Sequence, residues 1–135
     1  MLSDLMHWCL NVVTGREGQA SAVLFRAGEV IEGRDTARSR RLAARHDRDL
    51  ARGPARLASA LGITAVTATE INGRDLLDRR TALSLAFAEP VGLDAIASSP
   101  RVGVRDETVG TPWRFYLDGD PTVSPYRRGP VVRPG

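Results

Sequence analysis

The stretch HWCLNVVTGREGQASAVLFRA, from His7 to Ala27, constrains this chain more than any other. Two apolar runs flank the turn sequence TGREG, and Met6, Trp8, Leu10 and Val12 recur at every second position of the first run. That period places the four side chains on one face of a strand, so residues 6–14 and 21–27 are expected to form an antiparallel hairpin. Each strand also carries a polar residue out of keeping with its neighbours, Asn11 in the first and Arg26 in the second. If Thr14 opposes Gln19, then Ala22, Leu24 and Arg26 fall on the face that carries Asn11, away from Trp8 and Leu10. A slip of one residue would drive Arg26 into the apolar face, where an unpaired charge is costly. The Asn11 face is then a semi-polar surface, either a pocket wall or the solvent side.

Beyond the hairpin, GRDTARSRRLAARHDRDLARGP is expected to be helical through its first half, with Asp35 as N-cap and Gly53-Pro54 as the stop. PARLASALGI reads as a second short helix, with Leu57 and Leu61 four apart and Gly62 as its C-cap. Residues 82–87 and 101–104 are short strand candidates, and WRFYL, 113–117, is a stronger one in which Trp113, Phe115 and Leu117 are expected in the core. The tail RRGPVVRPG is rich in proline and glycine and is expected to fray. Strands, then helices, then strands, without βαβ alternation, predict an α+β fold with antiparallel pairing.

Composition narrows the chemistry. With 42% apolar and 26% charged residues over 135 positions, the chain reads as one soluble globular domain. No run approaches the roughly 18 apolar residues of a membrane span, and no basic region precedes the first apolar residues, so neither a span nor a secretory signal is expected. Cys9 is the only cysteine and fits a reducing cytoplasm; with only His7 and His46 beside it, no metal site is expected. All nineteen basic residues are arginine. Without lysine, Schiff-base chemistry through a side-chain amine is closed. Arg34 to Arg56 holds eight arginines against Asp35, Asp47 and Asp49, which is either an electrostatic footprint for nucleic acid or a solvated helix face.

MHWCLNVV, AVLFRAGEVIEG, GPARLASALGI, NGRDLL, RVGV and PWRFYLDGDPTVS follow one another in the order and spacing of the alkyladenine (3-methyladenine) DNA glycosylase family, and the chain resembles that family over nearly its whole length. The resemblance implies a single mixed domain with a curved antiparallel sheet flanked by helices, spanning residues 1–126, with 127–135 as a flexible tail. It implies a monofunctional enzyme that flips alkylated or deaminated purines from duplex DNA and cuts the N-glycosidic bond with an activated water. By resemblance, Asn11 crowds the pocket edge and refuses the 2-amino group of guanine, and Leu24 joins it in substrate binding. Arg26 orients the water, and the Val102 carbonyl accepts from it. Backbone amides of Met6 and His7 hold a DNA phosphate, and Arg38, Arg41 and Arg45 supply the basic surface. No cofactor is implied. The partner is double-stranded DNA in a bacterial, nucleoid-associated, cytoplasmic setting.

The family also carries an acidic V-E-T-E-A-Y-type segment whose carboxylate is the general base, and a His and a Tyr that sandwich the flipped base, all upstream of the hairpin. Where the family has its wedge tyrosine and following glycine, this sequence has Asp4 and Leu5. The chain is therefore expected to be an N-terminally truncated portion, inactive alone, monomeric if folded and prone to self-association through uncovered sheet. Two alternatives are a reduced family member that binds DNA through Arg34–Arg56 and an interaction protein that reuses the fold.

Overall fold

The computed structural model describes residues 7–104 and 107–127, and the chain divides into two compact units, Met1–Ala88 and Glu89–Gly135. The first holds strands β1 (Leu10–Val13) and β2 (Ala22–Phe25), then helices α1 (Arg34–Arg40), α2 (Pro54–Ala60) and α3 (Ala65–Ile71). The second holds β3 (Ile96–Ser99) and β4 (Arg114–Leu117). The class is α+β, as expected, and all strand pairing is antiparallel, divided between a β1–β2 and a β3–β4 ladder. Among the described residues no helix is long and apolar enough to cross a membrane, and no group of three His, Cys, Asp or Glu could hold a metal ion.

The hairpin forms, but with shorter strands and a wider loop than expected. Asn11 opposes Leu24 and Val13 opposes Ala22, and the Thr14 N–H donates to the Ser21 carbonyl at 2.9 Å, not to Gln19. The register has moved by two residues because TGREG continues into Gln19 and Ala20 before the chain can return; Gln19 N–H closes on Arg16 O instead. A shift of two leaves every side chain on its expected face. Met6 lies outside the described residues.

The core of the first unit is built from small residues: Ala37, Ala51 and Ala60 surround Leu50, which is fully buried. Alanines bury little apolar area each, but they let α1 and α2 approach closely, and arginine forks tie the elements together. Arg40 donates to the Ala60 carbonyl at 3.0 Å, Arg41 to Leu50 O at 3.2 Å, and Ser59 Oγ to Arg40 O at 3.4 Å. Gly33, not Asp35, caps α1, in the left-handed conformation with φ of 66°; Asp35 sits inside the first turn, where its charge still complements the helix dipole. Gly53-Pro54 opens α2 with proline in the first turn. Gly62, with φ of 75°, ends it: Gly62 N–H donates to Ser59 O and Ile63 N–H to Ala58 O, a Schellman closure with Ile63 and Ala58 both buried.

α3 is not among the elements expected from the sequence. Thr64 and Thr67 start it with a reciprocal capping box, Thr67 N–H to Thr64 Oγ1 at 3.3 Å and Thr64 N–H to Thr67 Oγ1 at 2.8 Å. Residues 82–87 and 101–104 are irregular, not strands. In the first segment, Leu85 N–H is taken by Leu76 O across a loop; the second leads into Gly103, whose φ of 76° is incompatible with a strand.

In the second unit the expected strand at 113–117 is present as β4, but its faces are reversed. Trp113 and Phe115 are 57% and 68% exposed, Leu117 is also exposed, and Arg114 is the buried residue, at 6%. Arg114 donates to Ser99 Oγ at 3.2 Å and Ser124 O at 2.6 Å, and its guanidinium stacks 4.6 Å from the centre of the Tyr116 ring. A guanidinium with these partners is satisfied beneath the ladder, so alternation correctly predicts two faces while the apolar count selects the wrong one. Of the expected frayed tail, only Arg127 lies among the described residues.

Candidate functional site

The first unit holds a cleft of about 860 Å³. One side is β1; the other is α3 and the irregular segment that follows it, ending at Phe87. Six consecutive residues, Trp8 to Val13, border the cleft. Side chains alternate along a strand, so a hollow above one face would meet every second residue; a hollow that meets six in a row runs along the strand's edge. The opposite edge of β1 is taken by β2. Apolar residues dominate the lining, with Trp8, Ile63, Leu77 and Phe87 among them, and Asn11, Thr69, Asn72, Arg74 and Asp75 supply the polar groups.

The hairpin brings Asn11 and Leu24 together. They are directly opposed, and because Thr14 and Ser21 make a hydrogen-bonded pair, alternation makes Asn11–Leu24 a non-hydrogen-bonded pair, the kind in which side chains stand closest. Both are exposed. Asn11 is thus both on the solvent side and on a cleft wall. Arg26 follows β2 directly and is half-buried, held where Ala27 bridges to Arg52 and Gly28 N–H reaches Ala51 O at 3.3 Å. Val102 belongs to the second unit, half-buried in the loop between β3 and β4. His7 is exposed ahead of β1.

The basic stretch is neither a plain footprint nor a plain solvated face, because much of it is engaged. Arg38 pairs with Asp47, Arg34 reaches Glu29 and Asp47 at 3.8 and 4.0 Å, and Arg52 meets Asp49 at 3.7 Å. Arg40 and Arg41 are the backbone clamps described above. Arg45 is exposed and, with Arg41, Arg56 and Asp49, borders a second hollow of about 250 Å³.

Asp75 is the only carboxylate on the larger cleft among the described residues. Its Oδ1 accepts from the Leu77 N–H at 2.9 Å, an Asx turn that shapes the loop after α3. Two local signals could have found α3, the T-x-x-T at 64–67 and the recurrence of Ala65, Ala68 and Ile71 three residues apart, whereas the cleft residues beyond Asn72 lie in an irregular segment with no such period.

The chain is similar to known proteins over nearly its whole length. Against a "Putative 3-methyladenine DNA glycosylase" of Streptomyces avermitilis it is 50% identical over 123 residues, which are 90% of this chain and 56% of that protein. A protein of the same name from Nocardia farcinica is 50% identical over 129 residues, 96% of this chain and 58% of the relative. The chain therefore spans a little over half the length of these relatives. The sequence model of Methylpurine-DNA glycosylase (MPG) matches residues 2–121. The chain belongs to the methylpurine-DNA glycosylase family.

Proposed function

We propose that this chain carries part of a monofunctional DNA glycosylase site that takes an alkylated or deaminated purine out of duplex DNA, since the target bond is unreachable in the stack. The match over residues 2–121 carries this proposal, supported by the opposition of Asn11 and Leu24 on an exposed face. Asn11 excludes the 2-amino group of guanine and Leu24 supplies the apolar surface beside it. Arg26 orients a water molecule, and by the same family resemblance the Val102 carbonyl has a catalytic role. Water oxygen attacks the sugar C1′, the bond from C1′ to the base breaks with its electron pair leaving on the purine, and the water proton passes to a carboxylate. No cofactor enters this reaction. Backbone amides of Met6 and His7 and the side chains of Arg38, Arg41 and Arg45 hold phosphates; Met6 lies outside the described residues. The setting is DNA in the bacterial cytoplasm.

Neither Asn11 nor Arg26 can accept the water proton near neutral pH. Asp75 has one oxygen committed to a turn. Residues 1–126 form part of the glycosylase domain, a reading that the match over residues 2–121 supports, and none of the side chains assigned here is the general base. Lack of a general base costs about 10²–10⁴-fold in rate, so these residues select and orient without hydrolysing at an enzyme's pace. The test incubates the 135-residue chain with duplexes holding one hypoxanthine or one ethenoadenine. Salt-sensitive binding without alkali-labile sites is expected. Excision abolished by Arg26→Ala would place the whole site, base included, within this chain. Absence of duplex binding at low salt would overturn the proposal.

A further inference from the structure

The basic stretch carries its own counter-ion. Asp47 divides its carboxylate between two guanidiniums: Oδ1 pairs with Arg38, and Oδ2 lies 4.0 Å from Arg34. The two arginines are four apart on α1, so both stand on one side of the helix. Arg34 is oriented there by its backbone contact as well, since Nε donates to the Val30 carbonyl at 2.9 Å. Two guanidiniums converging on a pair of acceptor oxygens is an arrangement that suits a phosphate group. Here a carboxylate of the same chain occupies it, and Glu29, 3.8 Å from Arg34, brings a second anion to the same cation.

The contact is placed where it can exchange. The side chains of Arg34, Arg38 and Asp47 are 49%, 47% and 46% exposed. An ion pair so open to water contributes little to the fold, because solvent screens it and the ordering of two long side chains offsets the attraction. A DNA phosphate can therefore replace Asp47 without unfolding the stretch. Binding is weakened all the same: each guanidinium gives up one anion to gain another, and the displaced carboxylate stays near the incoming charge, where like signs repel. Arg45 is the contrast, exposed and in no ion pair among the described residues. We propose that Asp47 is an internal competitor of the DNA backbone for Arg34 and Arg38, a reading that rests on the duplex binding proposed above. Phosphate contacts hold every sequence alike, so a weaker grip on the backbone leaves more of the selectivity to the base.

The experiment titrates the 135-residue chain onto a fluorescent duplex, undamaged or with one ethenoadenine, over a series of salt concentrations. Asp47→Asn keeps the side-chain size and the backbone carbonyl that accepts from Leu50 N–H. It should tighten binding to both duplexes about threefold to fivefold at low salt and steepen the salt dependence by about one ion, with an unchanged circular dichroism spectrum. Glu32→Gln makes the same change in net charge at an exposed residue and should shift affinity by less than about twofold, since screening weakens a charge that contacts no guanidinium. The gain from Asp47→Asn should vanish when Arg34→Gln and Arg38→Gln are also present, and persist beside Arg45→Gln. Equal effects of Asp47→Asn and Glu32→Gln, or a gain that survives loss of both arginines, would overturn the proposal while leaving duplex binding in place. Failure of the parent and of Asp47→Asn to bind either duplex would overturn the duplex-binding reading and this inference with it.

Discussion

At the scale of single residues, the arginine-only composition acts through geometry more than through charge. Arg40, Arg41 and Arg114 each donate to a backbone carbonyl. A guanidinium can hold two acceptors in a fixed fork, which an ammonium on a flexible stem does less well. Arg114 is the most demanding case, buried with Ser99 Oγ and Ser124 O as partners. Arg114→Met keeps an apolar stem but leaves the Ser124 carbonyl unsatisfied, and should destabilise the second unit by about 2 kcal/mol. Arg114→Lys should recover only part of that loss. Urea unfolding followed by fluorescence of the neighbouring Trp113 reads both; a neutral methionine variant would mean that the fork contributes nothing. The same residue explains why Trp113 and Phe115 are exposed against expectation: hydropathy ranks arginine as a surface residue, and only its partners across the ladder make it a buried one.

At the scale of elements, helices of seven residues such as α1 and α2 are too short to persist alone, so their ends carry much of the specification. Gly62 is where the two meet. A Cβ there would stand 2.7 Å from Arg40 Cζ, and the φ of 75° is disfavoured for any side chain. Gly62→Ala should cost about 1–2 kcal/mol for the left-handed backbone and about 1 kcal/mol more if the Arg40 bond to Ala60 is displaced. Gly62→Asn should cost less on the backbone side, because asparagine tolerates that conformation. Denaturant midpoints of the two variants separate the terms; equal midpoints would assign the whole cost to the clash with Arg40.

At the scale of the whole molecule, falling pH acts on the fold through carboxylates that the folded state holds ionised. Asp120 has a measurable share. Its carboxyl is held below the usual carboxylate range first by the Thr122 hydroxyl and then by the Thr122 N–H, which donate to Oδ1 at 2.6 and 2.7 Å. A group with a depressed folded-state pKa favours the fold above its unfolded value, about 3.9 for aspartate, and that contribution is lost as pH falls through the depressed value. Asp120→Asn keeps an acceptor but not the charge. Its stability should therefore fall below that of the parent at neutral pH and converge with it well below pH 4 (about the unfolded value). Curves that stay parallel down to that range would remove the charge from the account.

The sequence by itself determined the class, the hairpin and which residues share its faces, because a two-residue period survives any even shift in register. It also determined the start and stop of α2, where proline and glycine impose their conformations locally. The family was legible in six motifs read in order. Tertiary structure alone decided that Thr14 meets Ser21, that Arg114 lies inside and Trp113 outside, and that residues 63–87 wall a cleft along β1. Those outcomes depend on partners distant in the chain, and neither spacing nor hydropathy within a window records what a residue will meet across it.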